Sequence, residues 1–309
     1  MSLTGDSKNG WLAFELSVLN RLRFSSVAIP FVDRPVLAGY LKQAGVKVFT
    51  NSLLRSSYAS CLATVKNDGD SLTADDTAIV LEDAYVPQYR LSNQELRNWF
   101  NETDAWWFDN VRANIERLTS DNSKAIALSV GMKVGDYVLS FDQETSRLRQ
   151  PLSKVFERLL MLEQPAVSNG EENTCRCSDP IDFIAESYTD LFFLRLPAPR
   201  RGTLRQELGK FAWKECWVRG EGGFWGEIEQ GLSGKLGARV ETKTQYLELL
   251  RRALETAGHI KKWAIEHVEN GFVPTQEVVD VIGSIRKVDT VYTKDFSELT
   301  GVKAVMITA

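Results

Sequence analysis

Histidine and cysteine are scarce in this chain, with two histidines and four cysteines among 309 residues. Neither His259 nor His267 lies at ligand spacing from a cysteine pair, and Cys175 and Cys177 are too close in sequence to form a zinc knuckle. The sequence therefore predicts no metal site. So few histidines also disfavour a mechanism that depends on histidine as acid or base.

Long apolar runs are missing as well. No stretch approaches about 18 uninterrupted apolar residues, which predicts that no segment crosses a membrane. The chain shows no basic and apolar leader, so we expect a cytoplasmic protein. It also lacks a Walker-type glycine loop and a nucleophile elbow, so the patterns typical of nucleotide hydrolysis and serine hydrolysis are absent.

Basic residues do not dominate, since the net charge is −4. This argues against a uniformly basic surface but leaves room for a local basic cleft. With 43% hydrophobic and 25% charged residues, the composition is that of an ordinary globular protein. The length suits one large domain or two modest ones.

The first clear pattern is a strand, a helix and a second strand. Residues 25–31 form a short apolar run, Pro35 lies where a helix can begin, Gly45 ends that helix, and 46–50 is again apolar. Such a unit is typical of neighbouring parallel strands joined by a crossover helix.

A long helical region interrupts the α/β pattern. Residues 52–165 carry helical spacing almost throughout, and 166–180 is polar and rich in small residues. We therefore predict an α/β fold in which 1–51 and 181–309 form one domain, 52–165 a helical insertion and 166–180 a flexible loop. Further strands are predicted at 190–196, 262–267, 287–293 and 302–308, with a helix at 275–284.

The strand over 190–196 is the best candidate to carry a site. Its apolar run stops at Arg195, and a loop rich in proline and arginine follows. Ligands of open α/β sheets lie at the carboxyl ends of the central strands. We therefore expect any site to include the residues after this strand.

Three stretches together resemble the Dam-like class of adenine-specific DNA methyltransferases. They are residues 29–51, 190–197 and 266–308, which match in order the cofactor strand with its helix and second strand, the catalytic strand, and the closing strand with its terminal hairpin. The resemblance implies a Rossmann-type methyltransferase sheet that takes S-adenosylmethionine. Residues 104–162 are similar to a helical insertion of that family, which implies a DNA-facing subdomain.

The cofactor loop of that family has the form Phe-x-Gly-x-Gly. Here Phe31 is kept, but Asp33 and Pro35 replace the glycines. Glycines let the backbone approach a ligand closely, whereas proline fixes its own torsion and lacks an N–H. If Asn51 matches the asparagine after the second strand, Ser52 stands where the family has a carboxylate for the ribose. The candidate cofactor-binding residues are thus Phe31, Asp33, Asn51 and Ser52, and the substitutions make S-adenosylmethionine binding doubtful.

The family's catalytic Asp-Pro-Pro-Tyr aligns with Arg195, Leu196, Pro197 and Ala198. Transfer to an adenine amine needs an acceptor for its hydrogens and an aromatic ring that stacks on the flipped base. Arginine offers only donors, and alanine cannot stack. The sequence therefore predicts a degenerate catalytic motif, and it also predicts that Arg195→Asp with Leu196→Pro would be tolerated by the fold.

Two nearby aspartates are alternatives for the missing acceptor. Asp190 opens the strand instead of ending it, and Asp179 precedes a helix with no aromatic residue after its proline. Both are poor matches to the family motif.

Basic and aromatic side chains each allow two interpretations. The basic run after the strand could bind DNA phosphates or lie on a solvated face; its candidates are Arg200, Arg201, Arg205 and Lys210. Four tryptophans could stack on bases, but their helical spacing favours core packing; they are Trp106, Trp107, Trp213 and Trp217.

The leading prediction is a degenerate adenine-methyltransferase-like protein that binds DNA or a protein partner in a modification or defence system, with little or no activity. Two alternatives remain at this point. One is an active adenine-specific enzyme with a non-standard motif, and the other is a protein–protein scaffold without a ligand.

Overall fold

The computed structural model describes residues 9–142, 144–269 and 272–309. They form two compact units, the first made of residues up to 53 with 169–209 and 225–309, and the second of 54–168 with 210–224. The second unit thus includes 210–224, which the sequence-based division placed in the α/β domain. Residues 1–8 of that predicted domain, and Asn270 and Gly271 of a stretch that carries the resemblance, lie outside the described residues.

The first unit contains a seven-stranded sheet in the order β3-β2-β1-β4-β5-β7-β6. Strands β1 to β5 pair in parallel, and β7 pairs antiparallel with both β5 and β6. The order from β3 to β5 is that of a Rossmann fold. The predicted α/β class with a Rossmann-type methyltransferase sheet is therefore confirmed. The strands are β1 (Ser26–Ile29), β2 (Lys47–Asn51), β3 (Thr174–Arg176), β4 (Leu191–Arg195), β5 (Lys262–Glu269), β6 (Thr290–Asp295) and β7 (Lys303–Thr308).

The helices of the first unit follow the crossovers of the sheet. They are α1 (Asn9–Leu19), α2 (Val36–Gln43), α8 (Pro180–Glu186), α9 (Leu204–Leu208), α11 (Trp225–Leu232), α12 (Lys243–Thr256), α13 (Thr275–Gly283) and α14 (Ser297–Thr300). Residues Leu191 to Leu194 of β4 are all buried. A strand that is buried on both faces has a continuous run of apolar residues, which is why this strand could be predicted from sequence.

The predicted loop over 166–180 is wrong at 174–176, where β3 forms and pairs in parallel with β2. The Oδ1 atom of buried Asn173 accepts a hydrogen bond from the backbone N–H of Val48 at 2.9 Å. This contact ties the polar segment to the sheet although it has little apolar surface to bury.

The second unit is helical. Its helices are α3 (Arg55–Cys61), α4 (Ala74–Leu81), α5 (Glu102–Ile115), α6 (Asp121–Val138), α7 (Leu152–Leu162) and α10 (Ala212–Arg219), and a π-helical turn (Leu62–Lys66) follows α3. None of the helices in the described ranges of either unit is both long and apolar enough to cross a membrane.

Aromatic rings fill the core of this helical unit. Trp107, Trp213 and Trp217 have no exposed surface, and Trp106 is 6% exposed. The prediction that these four tryptophans pack in a core is confirmed. Helix α6 faces two of the rings through glycine, because a Cβ at Gly135 would lie 2.1 Å from an atom of Trp213.

Candidate functional site

Strand β1 is flanked by β2 on one side and β4 on the other. The strands run parallel here, but the order in which the chain adds them reverses, from β1, β2 and β3 on one side to β4 and β5 on the other. Ligands of open α/β sheets bind beside such a switch point, outside the carboxyl ends of the strands. We call the residues at these ends the carboxyl edge: 31–35 after β1, 51–52 at the end of β2, and 195–198 at the end of β4.

The segment after β1 has an ordinary backbone built from bulky residues. Phe31 is half-buried and packs against the core below the sheet edge. Asp33 is half-buried, Arg34 is exposed and Pro35 is buried. None of the residues 31–35 has a positive φ, and helix α2 begins at Val36 without a side-chain cap. The torsional freedom and close approach that a glycine loop provides are not built into this segment.

Asn51 connects three segments of the carboxyl edge. Its Nδ2 donates to the carbonyl oxygens of Pro30 at 3.2 Å and Ser178 at 3.1 Å. Its Oδ1 accepts from the N–H of Ser178 at 3.0 Å and from its hydroxyl at 3.1 Å. Ser52 is also buried, and its N–H donates to the carbonyl of Arg176. Both Nδ2 and Oδ1 of Asn51 are therefore engaged in hydrogen bonds within the protein.

Arg195 ends β4 between two buried carboxyl groups. Its Nε donates to Oε2 of Glu266 at 2.8 Å, and its Nη2 donates to Oε1 of Glu15. The side chains of both glutamates have no exposed surface, while that of Arg195 is 25% exposed. Burial alone would lower the pKa of Arg195, but the neighbouring charges of Glu266 and Glu15 outweigh it and raise that pKa. The guanidinium remains a cation and a donor.

The residues after Arg195 are also held by the protein. The N–H of Leu196 donates to the carbonyl of Glu266 at 2.9 Å. The carbonyl of Pro197 accepts from the hydroxyl of Tyr246 at 2.9 Å, and burial raises the pKa of that phenol. Ala198 has no ring to offer. Residues 195–198 thus offer neither a carboxylate nor an aromatic ring.

The two alternative aspartates have structural roles. Asp190 precedes β4 at the opposite edge of the sheet, where it accepts from the N–H of Ser25 at 2.8 Å and from its hydroxyl at 2.6 Å. The hydroxyl hydrogen bond, then the backbone one, lowers the pKa of Asp190. Asp179 caps α8 through the N–H of Ile181 and forms an ion pair with Lys235.

The basic candidates differ in what they contact. Arg200 is 1% exposed, and its guanidinium pairs with both carboxylate oxygens of Glu229 at 2.9 and 3.2 Å. Its Nε also donates to the carbonyl of Gly237 at 2.8 Å. Arg200 therefore fixes its own loop, and its donors are not available to a phosphate.

The other three basic candidates are at least partly accessible. Arg201 is exposed and lies over the ring of Phe272 at 5.5 Å. Arg205 is half-exposed on α9. Lys210 is exposed and belongs to the helical unit, where its Nζ lies 5.4 Å from the ring of Phe211.

Sequence reasoning missed Glu15 and Glu266. Glu15 follows Trp11 and precedes Leu19 by four residues each, so it shares their buried helical face. Glu266 lies directly opposite Arg195 in the register of β4 and β5. An acidic residue on an apolar stripe was the available signal for Glu15, whereas Glu266 could be found only once the pairing of strands was known.

No family model matches this chain. The chain is similar to the Type II methyltransferase M2.HphI of Haemophilus parahaemolyticus, with 21% identity over 290 residues, which cover 84% of this chain and 81% of that protein. This distant similarity agrees with the sheet and supports a methyltransferase-like protein.

Proposed function

We propose that this chain is a degenerate adenine-specific DNA methyltransferase-like protein, which binds DNA or serves as a partner subunit and transfers methyl groups poorly or not at all. The observation that carries the proposal is the environment of Arg195. Arg195 is held between Glu15 and Glu266, and in the proposed alignment this cation stands where the reaction needs an acceptor.

The chemistry of methyl transfer to adenine explains why this substitution matters. The exocyclic amine is a weak nucleophile, and an acceptor must take its hydrogens as the methyl group arrives. A guanidinium has five donors and no acceptor, and its charge persists at all accessible pH values. Arg195 would repel the positive charge that develops on the amine.

S-adenosylmethionine is the cofactor that similarity to a methyltransferase implies. Phe31 and Asp33 after β1, with Asn51 and Ser52 at the end of β2, are the residues that would have to hold it. They fit the group poorly, because the segment after β1 has no glycine and the amide of Asn51 is committed to Pro30 and Ser178. The proposal is therefore weak cofactor binding or none.

DNA is the proposed ligand on the strength of the similarity and of three accessible basic side chains. Arg201 and Arg205 belong to the α/β unit, and Lys210, taken by itself, to the helical unit. Arg200 is left out because Glu229 holds its guanidinium. Arginine and lysine at such positions would contact phosphate oxygens and carry little sequence information. A partner protein in a modification or defence system would supply specificity or chemistry that this chain lacks.

Three measurements on the purified chain test the proposal. Calorimetry with S-adenosylmethionine should give weak binding or none, and transfer of a labelled methyl group to duplex DNA should stay at background. Binding to labelled duplex DNA should weaken steeply with salt, with a log–log slope of about −0.9 for each phosphate contacted. Tight cofactor binding together with methyl transfer would show that the protein is an active enzyme.

A charge-matched control separates a specific basic surface from net charge. The double variant Arg201→Ala, Arg205→Ala should reduce the salt slope by about two phosphate contacts. The double variant Arg251→Ala, Arg252→Ala removes two charges from α12 and should leave the slope unchanged. An equal change in salt slope from both double variants would show that Arg201 and Arg205 are not specific DNA contacts.

A further inference from the structure

Helix α1 places a carboxyl group among apolar neighbours. The ring of Trp11 stacks on Phe296 at a centroid distance of 5.7 Å, and Val18 and Leu19 are buried on the same side of the helix. Glu15 lies on this face with no exposed surface. A carboxylate at such a place needs a partner, because burial of an unpaired charge costs several kcal/mol.

The partner arrangement leaves one negative charge too many. Arg195 donates to one oxygen of Glu15 and to one oxygen of Glu266. The remaining oxygens, Oε2 of Glu15 and Oε1 of Glu266, are buried and have no hydrogen-bond partner among the described residues if both groups are ionised. Two carboxylates facing a single cation in a desolvated cluster would be unstable.

A single proton resolves both problems at once. If Glu15 is protonated, its hydroxyl can donate to Glu266, the two unpartnered oxygens gain a bond, and one carboxylate balances one guanidinium. Burial first, then the charge of Glu266, raises the pKa of Glu15 to about 9, and a hydrogen bond with Glu266 contributes. Close carboxyl pairs of this kind share one proton because both cannot ionise.

We propose that Glu15, Arg195 and Glu266 form a one-proton lock, which fastens α1 to the carboxyl ends of β4 and β5 and weakens when the shared proton is lost. The lock is a property of this cluster and does not depend on DNA binding or on catalytic inactivity.

Other charged groups near α1 do not account for the proton. Among the described residues, the charges that act on Glu15 are those of Glu266 and Arg195. His267 is buried with its Nε2 at 3.1 Å from the carbonyl of Val273, and burial lowers its pKa below 6.5. The charged and titratable residues on these elements are Arg195 on β4, Lys262, Glu266, His267 and Glu269 on β5, Tyr292, Lys294 and Asp295 on β6, and Lys303 on β7.

The direction of the pH effect follows from the raised pKa. Below about pH 4.5 the carboxyl of Glu15 is protonated in both the closed and the opened state, so the lock has its full strength. Between about 4.5 and 9 only the closed state keeps the proton, so opening releases it. The ratio of closed to opened state should therefore fall about tenfold for each pH unit until the pKa of about 9 is approached, and change little beyond it.

Hydrogen exchange of α1 tests the lock on the intact chain. Between pH 7 and 9, after correction for intrinsic exchange, protection of the backbone amides of residues 11–19 should fall by about 50-fold. In Glu15→Gln, whose amide can replace the shared proton as a donor, protection should not depend on pH. Helix α6 serves as the reference segment in both proteins. Equal pH dependence of α1 in wild type and variant would overturn the proposal.

An infrared titration of the wild type keeps the test independent of whether the variant folds. At pH 7 one side-chain carboxyl should show the carbonyl stretch of a protonated acid, and this band should disappear by pH 10. Because ordinary Asp and Glu carboxyls are ionised at pH 7, a spectrum without such a band would refute the shared proton.

Discussion

An acidic residue placed at the end of β4 should destabilise the fold. The change is Arg195→Asp with Leu196→Pro, which recreates the first two residues of the family motif. From sequence alone we expected it to be tolerated. The contacts of Arg195 with Glu15 and Glu266 reverse that expectation, because the variant would place a third carboxyl group beside two buried ones.

The expected cost follows from two losses. Removing one partner of a buried ion pair typically costs 3–5 kcal/mol, and about 3 is the better figure here because Arg195 is partly exposed. A proline at 196 also removes the N–H that donates to the carbonyl of Glu266 at 2.9 Å, which costs about 1 kcal/mol. Together they amount to about 4 kcal/mol, a large fraction of the 5–15 kcal/mol that holds a typical protein together.

Equilibrium unfolding in urea at pH 7 measures this cost. The matched control is the triple change Glu15→Leu, Arg195→Met, Glu266→Leu, which removes the charges together and should cost much less, since apolar groups often replace a buried ion cluster without loss. A double variant within about 1 kcal/mol of wild type would refute the argument. So would a triple variant as unstable as the double one, because packing and not charge would then explain the loss.

Three further substitutions test the remaining structure by the same unfolding assay. Gly135→Ala should cost about 1–2 kcal/mol, because the steric clash of the new Cβ with the ring of Trp213 outweighs the gain in helix propensity. Gly231→Ala, where a Cβ meets open space, should be neutral or stabilising, and equal effects of the two changes would contradict the close approach at Gly135. Glu215→Gln should cost about 2 kcal/mol because the buried carboxylate accepts from two N–H groups and one hydroxyl at the start of α3, and no loss would contradict that role. Tyr246→Phe should cost about 1–2 kcal/mol by leaving a buried carbonyl in the loop after β4 unpaired, and an unchanged midpoint would show that water replaces the hydroxyl.

The strands that are buried could be predicted, because burial requires apolar residues in sequence. Strand β4 is an unbroken apolar run, and β1, α2 and β2 carry apolar residues bounded by Pro35 and Gly45. Strand β3 was missed because it is three residues long, polar and half-exposed, so its stability comes from pairing with β2 and from Asn173. The local periodicity of the sequence cannot predict such a contact, which joins Asn173 to Val48 of β2.

The site was predictable only in part, because its partners are distant in sequence. Arg195 could be placed at the end of a strand, but Glu15 is 180 residues away and Glu266 is 71. Arg200 was grouped with a basic run although Glu229, 29 residues away, buries its charge. Local charge patterns predict where a cation is, and tertiary pairing decides what it contacts.

Arg195 is coupled to Glu15 and Glu266, and this limits which residues can stand at the end of β4. An aspartate at 195 would face Glu15 and Glu266 with no cation between them, so an acidic residue is compatible with the fold only if both neighbours also change. Conversely, if residue 195 were an aspartate, a glutamate at 15 or 266 would be unfavourable, because no arginine at 195 would balance its charge. Intermediates with two or three unbalanced carboxyl groups would be unstable, so the arginine and its two partners are best understood as one unit. The same cluster puts a donor at the end of β4 and connects α1 to the sheet.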